Sequence, residues 1–174
     1  TAVTMGTLTL DGYEAITLSS TNTKDTIDSL VSNTAKSLTV VGDKDLTLTA
    51  YTAASVKTIA ATAMTWKFIM SAAGGASSQT ITTGSGADTV RGNTSATGKN
   101  VISTGAGNDK VVGATGTTTV DLGEGNDTFA IGAFANLTSA DKVDGGDGID
   151  VVAFAAAEDV DLTADITTLN GLSN

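Results

Sequence analysis

Four short phrases concentrate the residues of this chain that could do chemistry. They are Gly84-Ser85-Gly86-Ala87-Asp88, Gly105-Ala106-Gly107-Asn108-Asp109, Gly123-Glu124-Gly125-Asn126-Asp127 and Gly146-Asp147-Gly148-Ile149-Asp150. In each, the two glycines let the backbone take positive φ and pass close to an ion that a Cβ would keep away. Backbone carbonyls can then turn inward as oxygen donors, and the aspartate adds a hard anionic oxygen. Calcium takes six to eight such oxygens. A single turn offers too few, so two stacked turns must share each ion. The aspartates are separated by 21, 18 and 23 residues, and eighteen is two nine-residue units, one full coil with a turn on either side. The candidate ligands are therefore Asp88, Asp109, Asp127 and Asp150, with Gly84, Gly86, Gly105, Gly107, Gly123, Gly125, Gly146 and Gly148 allowing the close backbone approach. Four stacked turns give up to three sites in one row, because the opposite turns (92–99, 113–118 and 132–142) lack the phrase. A phosphate-binding glycine loop would have to open a helix. Here each phrase runs instead into a β-prone step: Thr89-Val90, Lys110-Val111, Thr128-Phe129 and Val151-Val152.

The unit Gly-x-Gly-x-Asp-x-apolar-x resembles the nonapeptide of the RTX (repeats-in-toxin) β-roll of secreted bacterial proteins. That resemblance implies Ca2+ as the bound ion and a right-handed parallel β-roll as the fold. The chain departs from the repeat at its first position, where Thr83, Thr104 and Leu122 stand in place of glycine and only Gly145 matches. Stacked coils lie about 4.8 Å apart, and two carboxylates at that distance repel by about 1 kcal/mol in water, more when partly buried. A column of four without cations should open, so this half is expected to be loose without calcium and folded with it.

Composition agrees with a thin, evenly stacked core. Aromatics make up only 4% of the 174 residues, while Gly, Thr and Ala abound, and there is no Cys, Pro or His. Disulfides and thiolate or imidazole metal sites are excluded. The net charge of −10 is uneven: residues 1–80 carry six acids and five bases, residues 81–174 thirteen acids and four bases. The acidity travels with the repeats, and no basic cluster offers a nucleic-acid footprint. No apolar run is long enough for a membrane-spanning helix, so membrane insertion is not expected.

The positioning elements read as strands throughout. Alternation marks strands at Thr7–Leu10, Ala15–Leu18, Ser37–Val41, Leu46–Thr49, Val56–Ile59, Lys67–Met70 and Thr80–Thr82. Between them, Ile27, Leu30, Val31 and Ala35 follow i, i+3, i+4, i+8 spacing and predict one short amphipathic helix near residues 22–36, with a polar loop as the alternative. Met64, Trp66, Phe68 and Met70 form the one bulky cluster, with Trp66 and Phe68 on one face. The fold class expected is all-β: a parallel β-helix or β-roll solenoid. Residues 1–80 form rungs without the calcium phrase, 81–155 the calcium-binding roll and 156–174 a terminal rung or cap, in one continuous solenoid that is part of something longer.

Without His, Cys or a nucleophile–base arrangement, catalysis has no residues to stand on, and no enzyme is expected. Thr-, Ala- and Val-rich phrases such as Ser37-Leu38-Thr39-Val40-Val41-Gly42-Asp43-Lys44-Asp45-Leu46-Thr47-Leu48-Thr49 are similar to bacterial surface-layer proteins that carry RTX repeats. This implies a structural role outside the cell: calcium-dependent folding and assembly of the chain with copies of itself into a lattice on the bacterial surface, with cell-surface polysaccharide a further partner. Two alternatives stay open. One is the stalk or ligand-binding module of a secreted adhesin. The other is the export and folding domain of a secreted hydrolase.

Overall fold

The computed structural model describes residues 2–71, 76–93, 95, 97–113, 115–132, 138, 140–154 and 169–170. Every described strand pairs in parallel with the strand two places along the chain, which is the signature of a coil stacked on a coil. One eight-stranded sheet contains the odd strands: β1 (Val3–Thr9), β3 (Asp25–Val31), β5 (Leu46–Thr52), β7 (Phe68–Met70), β9 (Thr89–Arg91), β11 (Lys110–Val112), β13 (Thr128–Ile131) and β15 (Val151–Phe154). The other contains the even strands: β2 (Ala15–Ser20), β4 (Ser37–Gly42), β6 (Thr58–Met64), β8 (Gln79–Thr82), β10 (Lys99–Ser103), β12 (Thr117–Asp121), β14 (Lys142–Asp144) and β16 (Leu169–Asn170). The protein is a parallel β-solenoid, and both sheets run unbroken across the start of the glycine phrases.

Register explains why small and β-branched residues suffice for the core. In the even sheet Ile16, Leu38, Ile59, Ile81, Ile102, Val120 and Val143 are successive partners and form one file of inward side chains. In the odd sheet the matching file is Ile27, Leu48, Met70, Val90, Val111, Phe129 and Val152. All but Val152 are buried, and each such side chain contributes about 1.5–3 kcal/mol relative to exposure. The two files face each other, and the flanking threonines and serines point outward.

No helix occurs among the described residues, and the one expected near residues 22–36 is replaced by β3. The misleading spacing comes from a bend. Ile27 and Leu30 are both buried with Asp28 exposed between them, and the next strand repeats this with Leu48 and Tyr51. The register Ile27↔Leu48 and Leu30↔Tyr51 is kept, so both coils turn the same corner. An i, i+3 pair of apolar residues can therefore mark a bent strand as well as a helix.

A second correction concerns Trp66. It lies in the turn between β6 and β7 and is 53% exposed, with the Lys44 ammonium 5.2 Å from its ring centre. Met64, Phe68 and Met70 are fully buried. The terminal rung or cap expected at 156–174 lies outside the described residues apart from β16, which pairs with β14.

Candidate metal centre

Coil stacking places the turn leading into each odd strand directly over the corresponding turn of the previous coil. The residue immediately before the strand (before Thr89, Lys110, Thr128 and Val151) is Asp88, Asp109, Asp127 or Asp150, and the four form one column. Each carboxylate reaches back by one coil: Asp109 Oδ1 accepts from the Asp88 amide at 2.7 Å, Asp127 Oδ1 from the Asp109 amide at 2.7 Å, and Asp150 Oδ1 from the Asp127 amide at 2.9 Å. At the near end, Asp88 Oδ1 accepts from the Phe68 amide at 2.7 Å. One oxygen of each aspartate thus satisfies a backbone donor of the previous coil.

The second oxygen is different. Asp88, Asp109 and Asp127 are almost wholly buried, and the Oδ2 atom of each is enclosed without a hydrogen-bond partner. Leaving a charged oxygen buried and unpaired is costly. Burial accordingly pushes all three carboxyls upward, Asp109 to about 7. The Asp88 and Asp127 charges add to the effect at Asp109, and the Asp150 charge adds to it at Asp127. At Asp88 the hydrogen bond from the Phe68 amide and the Lys67 charge act in the opposite direction. Three orphaned carboxylate oxygens in a row are what a row of cations requires.

The glycines form two further columns beside the aspartates. A Cβ on Gly105, Gly123 or Gly146 would sit 2.2, 1.8 or 1.9 Å from the carbonyl oxygen of the equivalent glycine one coil earlier. For Gly107, Gly125 and Gly148 the corresponding distances are 2.5, 1.8 and 1.7 Å. These six also have positive φ, whereas Gly84 and Gly86, which stack on Met64 and Trp66, do not. The first phrase therefore has ordinary backbone and the next three the left-handed form. Hydrogen bonds from Ala106, Glu124 and Asp147 to Gly84, Gly105 and Gly123 bind the turns together. Side-chain amides add another ladder: Asn108 Oδ1 accepts from the Asn126 amide at 2.9 Å and Asn126 Oδ1 from the Ile149 amide at 2.8 Å.

Among the described residues no three acidic side chains cluster closely enough to hold an ion by themselves. An ion here must take most of its oxygens from backbone carbonyls, consistent with glycine columns that bring carbonyls close. The departures at the repeat's first position also have a physical basis. Thr83 and Thr104 are buried, and their hydroxyls donate to the carbonyls of Thr104 and Leu122 at 2.8 and 2.7 Å, while Leu122 is in the core. They tie one coil to the next where glycine would leave a gap.

Comparison with known families matches residues 73–96 and 94–129 to the RTX calcium-binding nonapeptide repeat (4 copies). This stretch is an RTX-type calcium-binding β-roll. The match spans about a third of the chain and takes in the first three phrases; the fourth, Gly146–Asp150, joins the same column through the Asp150 carboxylate. Comparison with curated proteins and with solved structures finds no match. RTX repeats are calcium-binding and occur in secreted extracellular bacterial proteins, and the roll they form is a structural module.

One buried column is not apparent from the glycine phrases. On the opposite corner, Gln79, Asn100, Thr118 and Asp141 are buried and form a file at the beginning of the even strands, Gln79, Asn100 and Thr118 within the first two residues of β8, β10 and β12 and Asp141 just before β14. Gln79 Nε2 donates to the Val56 carbonyl at 3.1 Å, Asn100 Oδ1 accepts from the Asn93 amide at 3.1 Å, and Asp141 Oδ1 from the Thr118 amide at 2.5 Å. Their spacings, 21, 18 and 23 residues, equal those of the aspartate column. That equality is the signal by which the column could have been found.

Proposed function

We propose that Asp88, Asp109, Asp127 and Asp150, with the carbonyls exposed by the paired glycines, hold a single row of up to three calcium ions between coils. We further propose that this row makes the chain a calcium-stabilised segment of a bacterial surface-layer protein that assembles with copies of itself. The observation that carries the reading is the file of buried, unpartnered Oδ2 atoms on Asp88, Asp109 and Asp127. Bound calcium supplies the positive charge and oxygen coordination that such a file lacks. The chain's own part is to aim one oxygen of each aspartate at the previous coil's amide and leave the other free. Binding to the folded form alone then acts as folding free energy. Millimolar affinity, the range of extracellular modules, would keep the roll open inside a cell and close it outside. The lattice reading is supported by the Thr- and Val-rich coils without the glycine phrase that are continuous with the roll, and cell-surface polysaccharide is proposed as a further partner.

The test is a calcium titration of the chelated protein followed by circular dichroism and light scattering together. Gain of β signal with growing particles supports folding coupled to assembly. A β signal gained by a persistent monomer would retain the roll and favour an adhesin stalk or an export domain. No response in either channel removes the proposal.

A further inference from the structure

The four phrases define three gaps between glycine turns, but the same arrangement begins one coil earlier. Ahead of the first phrase lies the turn Met64-Thr65-Trp66-Lys67, which contains neither glycine nor aspartate. A Cβ on Gly84 would sit 1.9 Å from the Met64 carbonyl oxygen, and one on Gly86 2.4 Å from that of Trp66. These distances match those in the later gaps. Gly84 and Gly86 do not have positive φ, so backbone conformation does not account for glycine at either position. Close approach to the Met64 and Trp66 carbonyls does. The Ser85 amide donates to the Met64 carbonyl at 3.1 Å, as the Ala106 amide donates to that of Gly84 at 3.1 Å. The Asp88 carboxylate reaches back into this gap, its Oδ1 accepting from the Phe68 amide at 2.7 Å, and its Oδ2 is buried without a partner. One coil earlier again the arrangement is absent: Met64 and Phe68, stacked on Gly42 and Leu46, supply neither a bare backbone nor a carboxylate.

We propose that the gap between the Met64–Lys67 turn and the first glycine phrase is a further calcium site, additional to the three between glycine turns. Its oxygens come from Asp88 and from the backbone carbonyls of Met64 and Trp66. The proposal rests on the calcium reading above and extends the row by one coil, into a turn whose sequence carries no metal phrase. This site is the weakest of the row. Each later gap is flanked by two aspartates, whereas this one has Asp88 alone, and fewer charged ligands lower calcium affinity. The half-buried Lys67 adds a positive charge close enough to act on Asp88, and like charge opposes an entering cation. Lys67 therefore sets the calcium concentration at which the row reaches the apolar coils. Lower calcium fills the gaps between phrases, and higher calcium fastens the roll to the coils that precede it.

The experiment titrates the 174-residue chain with calcium, counting bound ions by equilibrium dialysis and following the emission of Trp66, its one tryptophan. Circular dichroism records the fold. Wild type should bind one ion more than Gly86→Ala, whose new Cβ points at Trp66. That ion should be the last to bind, and Trp66 emission should change at its step. Lys67→Gln should lower the calcium needed for the last step at least threefold and leave the earlier steps within about twofold. It alters no backbone contact of the turn, so it decides the question even where Gly86→Ala disturbs the stacking. Equal ion counts in wild type and a folded Gly86→Ala, or a last step that Lys67→Gln does not move, would overturn the boundary site while leaving the row between glycine turns intact. A wild type that binds no calcium would overturn both.

Discussion

One column of the solenoid is built in two ways. Following one position at the entry to the odd strands from coil to coil, the chain places Asp25, Leu46 and Phe68 and then Asp88, Asp109, Asp127 and Asp150. In the earlier coils Leu46 and Phe68 are buried apolar side chains, and Met64 fills the position that becomes Gly84 one coil later. In the later coils the side chains are stripped to glycine, and the buried group is a carboxylate. The parallel stacking continues across the boundary while the buried group at the column changes. On the proposed reading, apolar turns close by themselves, whereas carboxylate turns close only when their charge is met.

The effect that separates the two regions is loss of the ion. With excess chelator, amide exchange in 83–153 should accelerate by roughly 100-fold or more, corresponding to the loss of about 2.7 kcal/mol of linked binding, while residues 15–82 keep their protection. Equal exchange in both regions would show that the apolar coils do not stand alone. Phe68→Ala should cost about 3–5 kcal/mol in denaturant unfolding of the early coils, by a similar amount with and without calcium.

A smaller effect with a change of sign is expected from Asp109→Asn. The calcium midpoint should rise on the order of tenfold, since ligand charge sets affinity in such sites. In chelator the same variant should be more stable than wild type, because the amide keeps an oxygen for the Asp88 amide and removes the central charge. Loss of stability under both conditions would mean that the carboxylate is structural.

Acid should substitute in part for the ion. The folded, metal-free carboxyls of Asp88, Asp109 and Asp127 are held above their free values, chiefly by burial. Protons therefore favour the folded form: this contribution is complete below about pH 4 and is lost as the pH rises through about 7 for Asp109. The chelated protein should melt higher at pH 5 than at pH 8, and a flat profile would count against a buried column. The smallest effect is expected at the exposed Trp66. Trp66→Ala removes the contact with Lys44, worth about 0.5–1 kcal/mol at such sites, without altering the calcium midpoint.

Where the sequence was legible, the reason was geometric necessity. Gly107, Gly125 and Gly148 have no substitute at their spacing from the previous coil's carbonyls, so the repeat appears in the letters themselves. Alternation at Thr80-Ile81-Thr82 likewise allows one reading. Legibility failed where the backbone departs from a straight strand. The bend between Ile27 and Leu30 produced a helical spacing, and the turn at Trp66 broke the alternation that had paired it with Phe68. The amide column of Gln79 and Asn100 was hidden for another reason: buried polar residues that bond to backbone carry no fixed identity, and only their shared coil spacing gives them away.

The hydrogen bonds of both sheets run along the stack, from coil to coil, and each coil holds only its two neighbours. Pulled from its ends, such a chain does not shear as a block; it peels. Between successive aspartates the coils are 21, 18 and 23 residues long, and at about 3.3–3.6 Å per extended residue each released coil lengthens the chain by roughly 60 to 80 Å. A tethered molecule would yield in a staircase of such steps, and each ion-bearing interface would set its own rupture force.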